Sequence, residues 1–192
     1  MTTSKDIVAT SLKLFYRQGF HATGVDLLSR EADVTKKTLY RHYPSKDALI
    51  DAALALRHTQ FMSKMRALVD SVATELRPLA YIDFIASWVQ EDDFYGCAFI
   101  NAVAEFACPD APPHQQAAKH KQEIQAYLKD LCIACRISQP ELISEQLFVL
   151  GEGMIVASQV QGYDASRVNA ARTMARHAWL FAVGGSTPSL NP

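Results

Sequence analysis

The chain has 192 residues, 49% of them hydrophobic, and its 19 Lys and Arg against 20 Asp and Glu leave a formal net charge of −1. That balance excludes a polycation that coats nucleic acid by bulk charge, and the apolar fraction excludes a disordered acidic segment. The charges are uneven along the chain. Up to Arg57 there are nine basic and six acidic side chains, and beyond it ten and 14. A basic N-terminal part joined to a larger acidic part indicates two functions, and the basic part is suited to binding phosphate groups.

The location of the protein is predicted from three features. The first six residues are polar, so we expect no secretory signal. No run approaches 18 uncharged apolar residues, so we expect no membrane span. The four cysteines, without a signal peptide, fit a reducing compartment. We therefore expect a soluble cytoplasmic protein.

Apolar residues recur at helical spacing throughout, and Pro and Gly cluster at a few breaks. This pattern predicts an all-α protein of about nine helices. The first helix begins at Ser4 or Lys5 and ends at Gln18, with Gly19 as its C-terminal stop.

Polar residues mark the ends of the next three helices. A capping box opening at Thr23 is predicted to start the second helix. Asp33 lies where the chain must turn sharply, and Asp tolerates the left-handed conformation better than most residues. Thr35 is a good N-cap for a short third helix that ends before Pro44, and Ser45 for a much longer fourth. Two short helices joined by a tight turn, with a helix to pack on, predict a helix-turn-helix unit.

The third helix has two different sides. Leu39 and Tyr43 form an i,i+4 pair that can seat it on a core. The opposite side pairs Lys37 with Arg41, and Thr38 with His42. A surface helix that faces only solvent has a similar pattern, but the tight turn and the basic N-terminal part of the chain favour a helix that binds DNA.

The segment from Ile7 to Leu49 resembles the N-terminal domain of the TetR-type (tetracycline-repressor) family of bacterial transcription regulators. The similarity lies in the run LFYRQGFHATGVDLLSREADVTKKTLYRHYPSKDALI, and most specifically in its Leu-Tyr-x-His-aromatic-x-x-Lys ending at Leu39–Lys46. Asp33 departs from the family, which usually has Gly there. The resemblance implies a homodimer that binds double-stranded operator DNA and responds to a small-molecule effector. No cofactor is predicted.

The resemblance also assigns roles to residues. Candidates for contact with phosphate are Thr23, Gly24, Tyr40, His42 and Lys46, with the Ser45 cap. Candidates for base edges in the major groove are Thr35, Lys36, Lys37, Thr38 and Arg41.

Five more helices are predicted beyond the fourth: Pro78–Glu91, Tyr95–Ala107, His114–Ile137, Pro140–Gln161 and Asp164–Val183. Ser138 and Glu141 fit a capping box. Stripes on the last two helices predict a dimer surface, which in this family is a four-helix bundle: Leu147, Gly151, Met154, Ile155, Ala171, Ala175, Ala178 and Trp179. Packing against the chain's own core is the alternative.

The middle helices are predicted to line a mostly apolar ligand pocket: Phe61, Met65, Phe84, Trp88, Cys97, Asn101, Tyr127 and Gln159. Ordinary core packing is the alternative for any single aromatic.

Other chemistry finds little support in the sequence. Cys132 and Cys135 have redox spacing, but inside a helix their Cβ atoms lie about 5–6 Å apart, too far for a disulfide. His114 and His120 are about 240° apart on a helix, so no metal site is predicted. Signatures of enzymes are absent, and we predict no enzyme activity.

The sequence therefore predicts three segments: a helix-turn-helix domain at 1–48, a ligand-binding and dimerisation domain at 49–183, and a disordered tail at 184–192. The predicted function is ligand-responsive transcriptional regulation, most simply repression. A helical ligand or thiol-redox sensor without specific DNA binding is the alternative.

Overall fold

The computed structural model describes residues 3–184, and these residues contain nine α-helices, one short 3-10 helix and no strand. The helices are α1 (Ser4–Gln18), α2 (Val25–Glu31), α3 (Lys36–His42), α4 (Lys46–Val69), α5 (Arg77–Trp88), α6 (Ala98–Glu105), α7 (Pro112–Ala134), α8 (Pro140–Gln161) and α9 (Ala165–Gly184). The 3-10 helix is Thr74–Leu76. The all-α prediction is confirmed. The predicted tail lies outside the described residues, apart from Gly184, which ends α9.

The contacts divide the chain into two compact units. Among the described residues, the first unit comprises those up to Met62 together with Cys97–Lys121, and the second comprises Ser63–Gly96 and those from Gln122 onward. Helix α6 and the first part of α7 therefore fold with the helix-turn-helix segment, although they follow it in sequence by more than 40 residues.

The core of the first unit begins with one face of α1, which buries Ile7, Leu12 and Phe15. Leu28 of α2 and Leu39 of α3 are fully buried there as well. Since α2 and α3 have only seven residues each, isolated helices of this length would not persist in water. Burial of these side chains holds both helices in place.

The second unit is built around α5, which contacts both α8 and α9. Eight of its 12 residues are buried, among them Tyr81, Ile85 and Trp88. A helix that is apolar on most sides is stable only when neighbours cover it. Outside this core, Arg172 of α9 donates a hydrogen bond from Nε to Asp83 of α5 at 2.8 Å.

Two predicted capping boxes are wrong. Gly24 is the N-cap of α2 without a side-chain bond, because the Thr23 hydroxyl is buried and donates to the Gly19 carbonyl at 2.6 Å. Gln139, in the left-handed conformation, is the N-cap of α8. The Ser138 hydroxyl donates to the carbonyl of Ala182 in α9 at 2.8 Å. In both cases a hydroxyl that could cap its own helix binds a carbonyl elsewhere.

Helices α5, α6 and α7 end earlier than predicted, and α6 also starts later. Gly96 at φ 87° precedes α6, and Arg136 at φ 52° follows the end of α7. Positive φ is incompatible with a continuing right-handed helix. The first helix and α8 have their predicted bounds.

Candidate nucleic-acid interface

The turn between α2 and α3 depends on Asp33. Its φ of 51° places it in the left-handed region, as its position in the sequence predicted. The Asp33 and Val34 N–H groups donate to the carbonyls of Arg30 and Ser29, at 3.1 and 3.0 Å. Asp therefore supports here the turn for which the family usually has Gly.

Helix α3 is capped and anchored. The Thr35 hydroxyl accepts a hydrogen bond from the Thr38 N–H at 3.1 Å, which confirms the predicted N-cap. At the other end, the Tyr43 hydroxyl lies 2.5 Å from Ser4 Oγ and 3.2 Å from the Ser4 carbonyl, to which it donates. With Leu39 fully buried between these ends, the orientation of α3 on its unit is determined.

The opposite side of α3 is exposed and basic. Lys37, Arg41 and His42 are exposed, and Tyr40 has 44% of its surface accessible. Lys36 is also exposed and forms a short ion pair with Asp26 of α2. An ion pair at an exposed site contributes little stability, so the Lys36 ammonium can exchange Asp26 for another anion. Five predicted contact residues, Thr35, Lys36, Lys37, Thr38 and Arg41, thus lie on α3 and its N-cap.

The predicted phosphate contacts differ in their exposure. Gly24 is exposed, whereas Thr23 is fully buried, so of these two residues only Gly24 is accessible to a phosphate. Ser45 Oγ accepts from the Ala48 N–H at 3.0 Å, which confirms the predicted cap of α4. The Lys46 ammonium donates to the His21 carbonyl at 3.1 Å, which brings the start of α4 to the loop that precedes α2.

Glu105, at the end of α6, also contacts this region, although no sequence pattern indicates it. Its carboxylate accepts hydrogen bonds from the N–H groups of Phe20 and His21, in that same loop. No local pattern could have indicated a contact between residues about 85 positions apart.

The residues predicted for the dimer surface lie elsewhere than expected. Seven of the eight are buried within the single chain, and Ala178 is half-buried. Gly151, for example, faces the Tyr81 ring of α5. The apolar periodicity of these residues is that of packing within the chain's own core.

The residues predicted for the ligand pocket fall into both units. Phe61, Cys97 and Asn101 belong to the first unit, and Met65, Phe84, Trp88, Tyr127 and Gln159 to the second. Gln159 is exposed, Asn101 and Tyr127 are half-buried, and the other five are buried. The first unit also has a groove of about 210 Å³ between α6 and α7, with mostly apolar walls: Phe99, Ile100, Val103, His114, Ala117, Ala118 and Lys121.

The cysteine pair at the end of α7 consists of Cys132, which is buried, and Cys135, which follows the helix and is half-buried. Burial raises the pKa of Cys132 to about 12, and burial together with Glu75 raises the pKa of Cys135. Both cysteines are unbridged, and the Cys135 thiol donates to the Thr74 carbonyl at 3.2 Å. Raised pKa values oppose formation of the reactive thiolate.

Within residues 3–184, no three His, Cys, Asp or Glu side chains are placed to hold a metal ion. None of the described helices has the length and apolar character needed to cross a membrane.

Known proteins match this architecture. Residues 7–53 match the family model of bacterial regulatory proteins of the tetR family. The helix-turn-helix type transcriptional regulator YjdC of Escherichia coli is 25% identical over 180 residues, which cover 93% of this chain and 94% of YjdC. A TetR-family regulator from Streptomyces coelicolor, known by crystal structure, has a TM-score of 0.87 at 26% identity over 95% of this chain and 92% of that one. A TetR-family regulator from Cytophaga hutchinsonii, at 16% identity, shares the fold with a TM-score of 0.81 over 94% of each chain.

The matched relatives are named as regulators of transcription and not as enzymes. The family model covers the three helices and the turn that present the basic face of α3. The sequence match over residues 7–53, the shared fold and this helix-turn-helix geometry together show that the chain carries a DNA-binding domain of the tetR family of bacterial regulatory proteins and has the fold of TetR-family transcription regulators.

Proposed function

We propose that this chain is a homodimeric repressor of the bacterial cytoplasm that binds a palindromic operator and is released from it by a small, mostly apolar ligand. The observation that carries the DNA-binding part is the exposed basic side of α3, on a helix fixed by Leu39 and Tyr43. Helices presented in this way lie in the major groove, and two of them in a dimer meet half-sites one DNA turn apart. Because the net charge of the chain is only −1, its affinity depends on a few placed contacts.

Two lysines of the interface are expected to respond differently to substitution. Lys46→Ala removes a predicted phosphate contact, so it should weaken binding to all sequences and flatten the dependence of log affinity on log salt by about one unit.

Lys37→Ala removes a predicted base contact, so it should change the preference among operator variants by ~1–3 kcal/mol. The measurement is fluorescence anisotropy on duplexes selected from a random pool with the wild-type chain, over a range of salt concentrations.

Failure to select any duplex that binds in a sequence-specific, salt-sensitive way would overturn the repressor function. A uniform loss across operator variants for Lys37→Ala would make Lys37 a phosphate contact, because only contacts with bases discriminate between sequences.

The proposed dimer surface is the exposed apolar stripe of α8. Leu142, Val149, Val156 and Val160 are between 44% and 75% exposed and recur at steps of seven, seven and four residues, so they share one face. An apolar groove of about 450 Å³ beside them reaches Met174 and Ala178 of α9. A large exposed apolar patch on a folded chain is typical of an interface, and a second copy that brings the same two helices would form a four-helix bundle.

Val156→Glu is expected to convert the dimer to monomers. The substitution puts a carboxylate from each protomer into the interface, and a buried charge without a partner costs several kcal/mol. The dissociation constant should therefore rise about a hundredfold or more, as measured by sedimentation equilibrium. Leu76→Glu is the matched control, because Leu76 is 51% exposed but belongs to neither α8 nor α9. A Val156→Glu chain that stays dimeric would place the interface elsewhere.

The proposed effector is mostly apolar because the groove between α6 and α7 is. The polar side chains that line the groove are His114 and Lys121. They are enough to orient a small molecule but too few to bind a strongly charged one. The buried aromatic residues predicted from the sequence, such as Phe84 and Trp88, remain candidates for a pocket in the second unit. A screen of apolar compounds for release of the selected duplex tests the effector.

A further inference from the structure

We propose that Glu105 is a positioning residue for DNA binding, which acts from α6, outside the helix-turn-helix, by clamping the loop that precedes α2. This inference rests on the proposed function. The loop is residues 19–24, and we call its contacts with Glu105 the clamp.

The clamp uses both oxygens of the Glu105 carboxylate. Oε1 accepts from the Phe20 N–H at 2.8 Å, and Oε2 accepts from the His21 N–H at 2.6 Å. The Nδ1 atom of the His21 ring lies 3.0 Å from the same Oε2. Two consecutive peptide groups are thus bound by one carboxylate, and hydrogen bonds to an ionised acceptor are about twice as strong as neutral ones.

Close packing accompanies these hydrogen bonds. The Phe106 ring, next in sequence to Glu105, lies 4.6 Å from the His21 ring and 6.1 Å from the Phe20 ring, centroid to centroid. Gly19 has φ 91°, and a Cβ atom there would lie 3.0 Å from Glu105 Oε1. Glycine at this position therefore provides both the backbone conformation and the space for the carboxylate.

The same loop is linked to the DNA-binding elements on both sides. Its His21 carbonyl accepts from Lys46 at the start of α4, and its Thr23 hydroxyl closes the loop on the Gly19 carbonyl. Gly24, its last residue, is the N-cap of α2. Loss of the clamp would free the two N–H groups of Phe20 and His21 and loosen the position of Lys46, which we have assigned to phosphate.

The charge on Glu105 is retained in the folded state. Burial of the carboxyl group raises its pKa, but the hydrogen bonds from the loop outweigh burial and lower the pKa overall below its ordinary value of 4.5. Because the folded pKa is lowered, the stabilisation by the clamp is fully present above pH 4.5. It is lost as the pH falls through the folded pKa. The clamp is therefore intact at neutral pH.

Glu105→Gln tests the role with two measurements. The amide side chain keeps the shape but loses the charge and one acceptor oxygen. We expect amide hydrogen exchange at Phe20 and His21 to accelerate about tenfold or more, while amides in the middle of α1 keep their protection. We also expect affinity for the selected duplex to fall about tenfold, the equivalent of one charged hydrogen bond.

A double-mutant cycle separates positioning from general destabilisation. If the clamp acts through Lys46, the losses from Glu105→Gln and Lys46→Ala should be non-additive. Asp110→Asn is the control, since it removes an exposed carboxylate only five residues further along. It should leave both readouts unchanged.

The outcomes distinguish the two proposals. A wild-type chain that selects no duplex overturns the proposed function and this role with it. A selected duplex that binds Glu105→Gln within twofold of wild type overturns the positioning role alone. Unchanged exchange at Phe20 and His21, or additive losses with Lys46→Ala, overturns it as well.

Discussion

Gly151→Ala is expected to lower the free energy of unfolding by about 2 kcal/mol. A Cβ atom at this position of α8 would lie 2.5 Å from the Tyr81 hydroxyl oxygen and 2.8 Å from Cε1 of its ring. Tyr81 is fully buried in α5, so neither helix can yield without disturbing the core of the second unit. Overpacking of this kind costs up to about 3 kcal/mol, and the better helix propensity of Ala returns about 1 kcal/mol.

Gly153→Ala is the matched control in the same helix. A Cβ atom there meets nothing within 4 Å, so Ala should stabilise the chain by up to about 1 kcal/mol through propensity alone. Urea unfolding at two protein concentrations separates an effect on the core of the single chain from an effect on dimerisation. Gly153 faces the proposed dimer surface, and an effect through dimerisation would depend on concentration, whereas the loss at Gly151 would not. Equal stability of the two variants would show that α5 and α8 can move apart at no cost.

His120→Phe is expected to make the chain more resistant to acid by about 2 kcal/mol at pH 5. The His120 ring is 1% exposed, stacks on Phe99 at 3.7 Å and faces the edge of Phe61 at 5.1 Å. Its Nδ1 lies 3.0 Å from Nδ1 of His58, and its buried Nε2 has no hydrogen-bond partner among the described residues. Burial, assisted by the positive charges of Lys121 and Arg57 and by His58, lowers the pKa of His120 from 6.5 to about 2.

The direction of this pH dependence follows from the linkage between proton binding at His120 and unfolding. Above pH 6.5 the imidazole is neutral in both states, so the pKa difference has no effect. Between pH 6.5 and about 2 the unfolded chain binds a proton that the folded chain does not, so stability falls as the pH falls, by about 2 kcal/mol at pH 5. A phenyl ring keeps the aromatic packing and cannot titrate.

Urea unfolding at pH 7.5 and pH 5 measures the difference. The loss of stability between the two pH values should be about 2 kcal/mol smaller in His120→Phe than in wild type. His177→Phe, at an exposed position of α9, should lose as much as wild type. An equal loss in His120→Phe and wild type would mean that the folded chain admits a proton at His120.

The sequence by itself determined what depends on neighbours within about four positions. It predicted the all-α class, the end of α1 at Gln18, the cap at Thr35 and the left-handed turn at Asp33. It also predicted the two sides of α3, with Leu39 inward and Lys37 with Arg41 outward. These features follow from helical geometry and from the conformational preferences of single residues, so a local pattern is enough.

Only the tertiary structure decided which of several possible partners a given side chain binds. The hydroxyls of Thr23 and Ser138 bind the carbonyls of Gly19 and Ala182 and do not cap the helices that follow them. The apolar periodicity of α8 is compatible with two buried faces, and packing on Tyr81 selected Gly151 for the core and left Val156 exposed. The clamp of Glu105 on Phe20 and His21 joins segments that are remote in sequence. Periodicity states which residues share a face, but what that face meets depends on the packing of the whole chain.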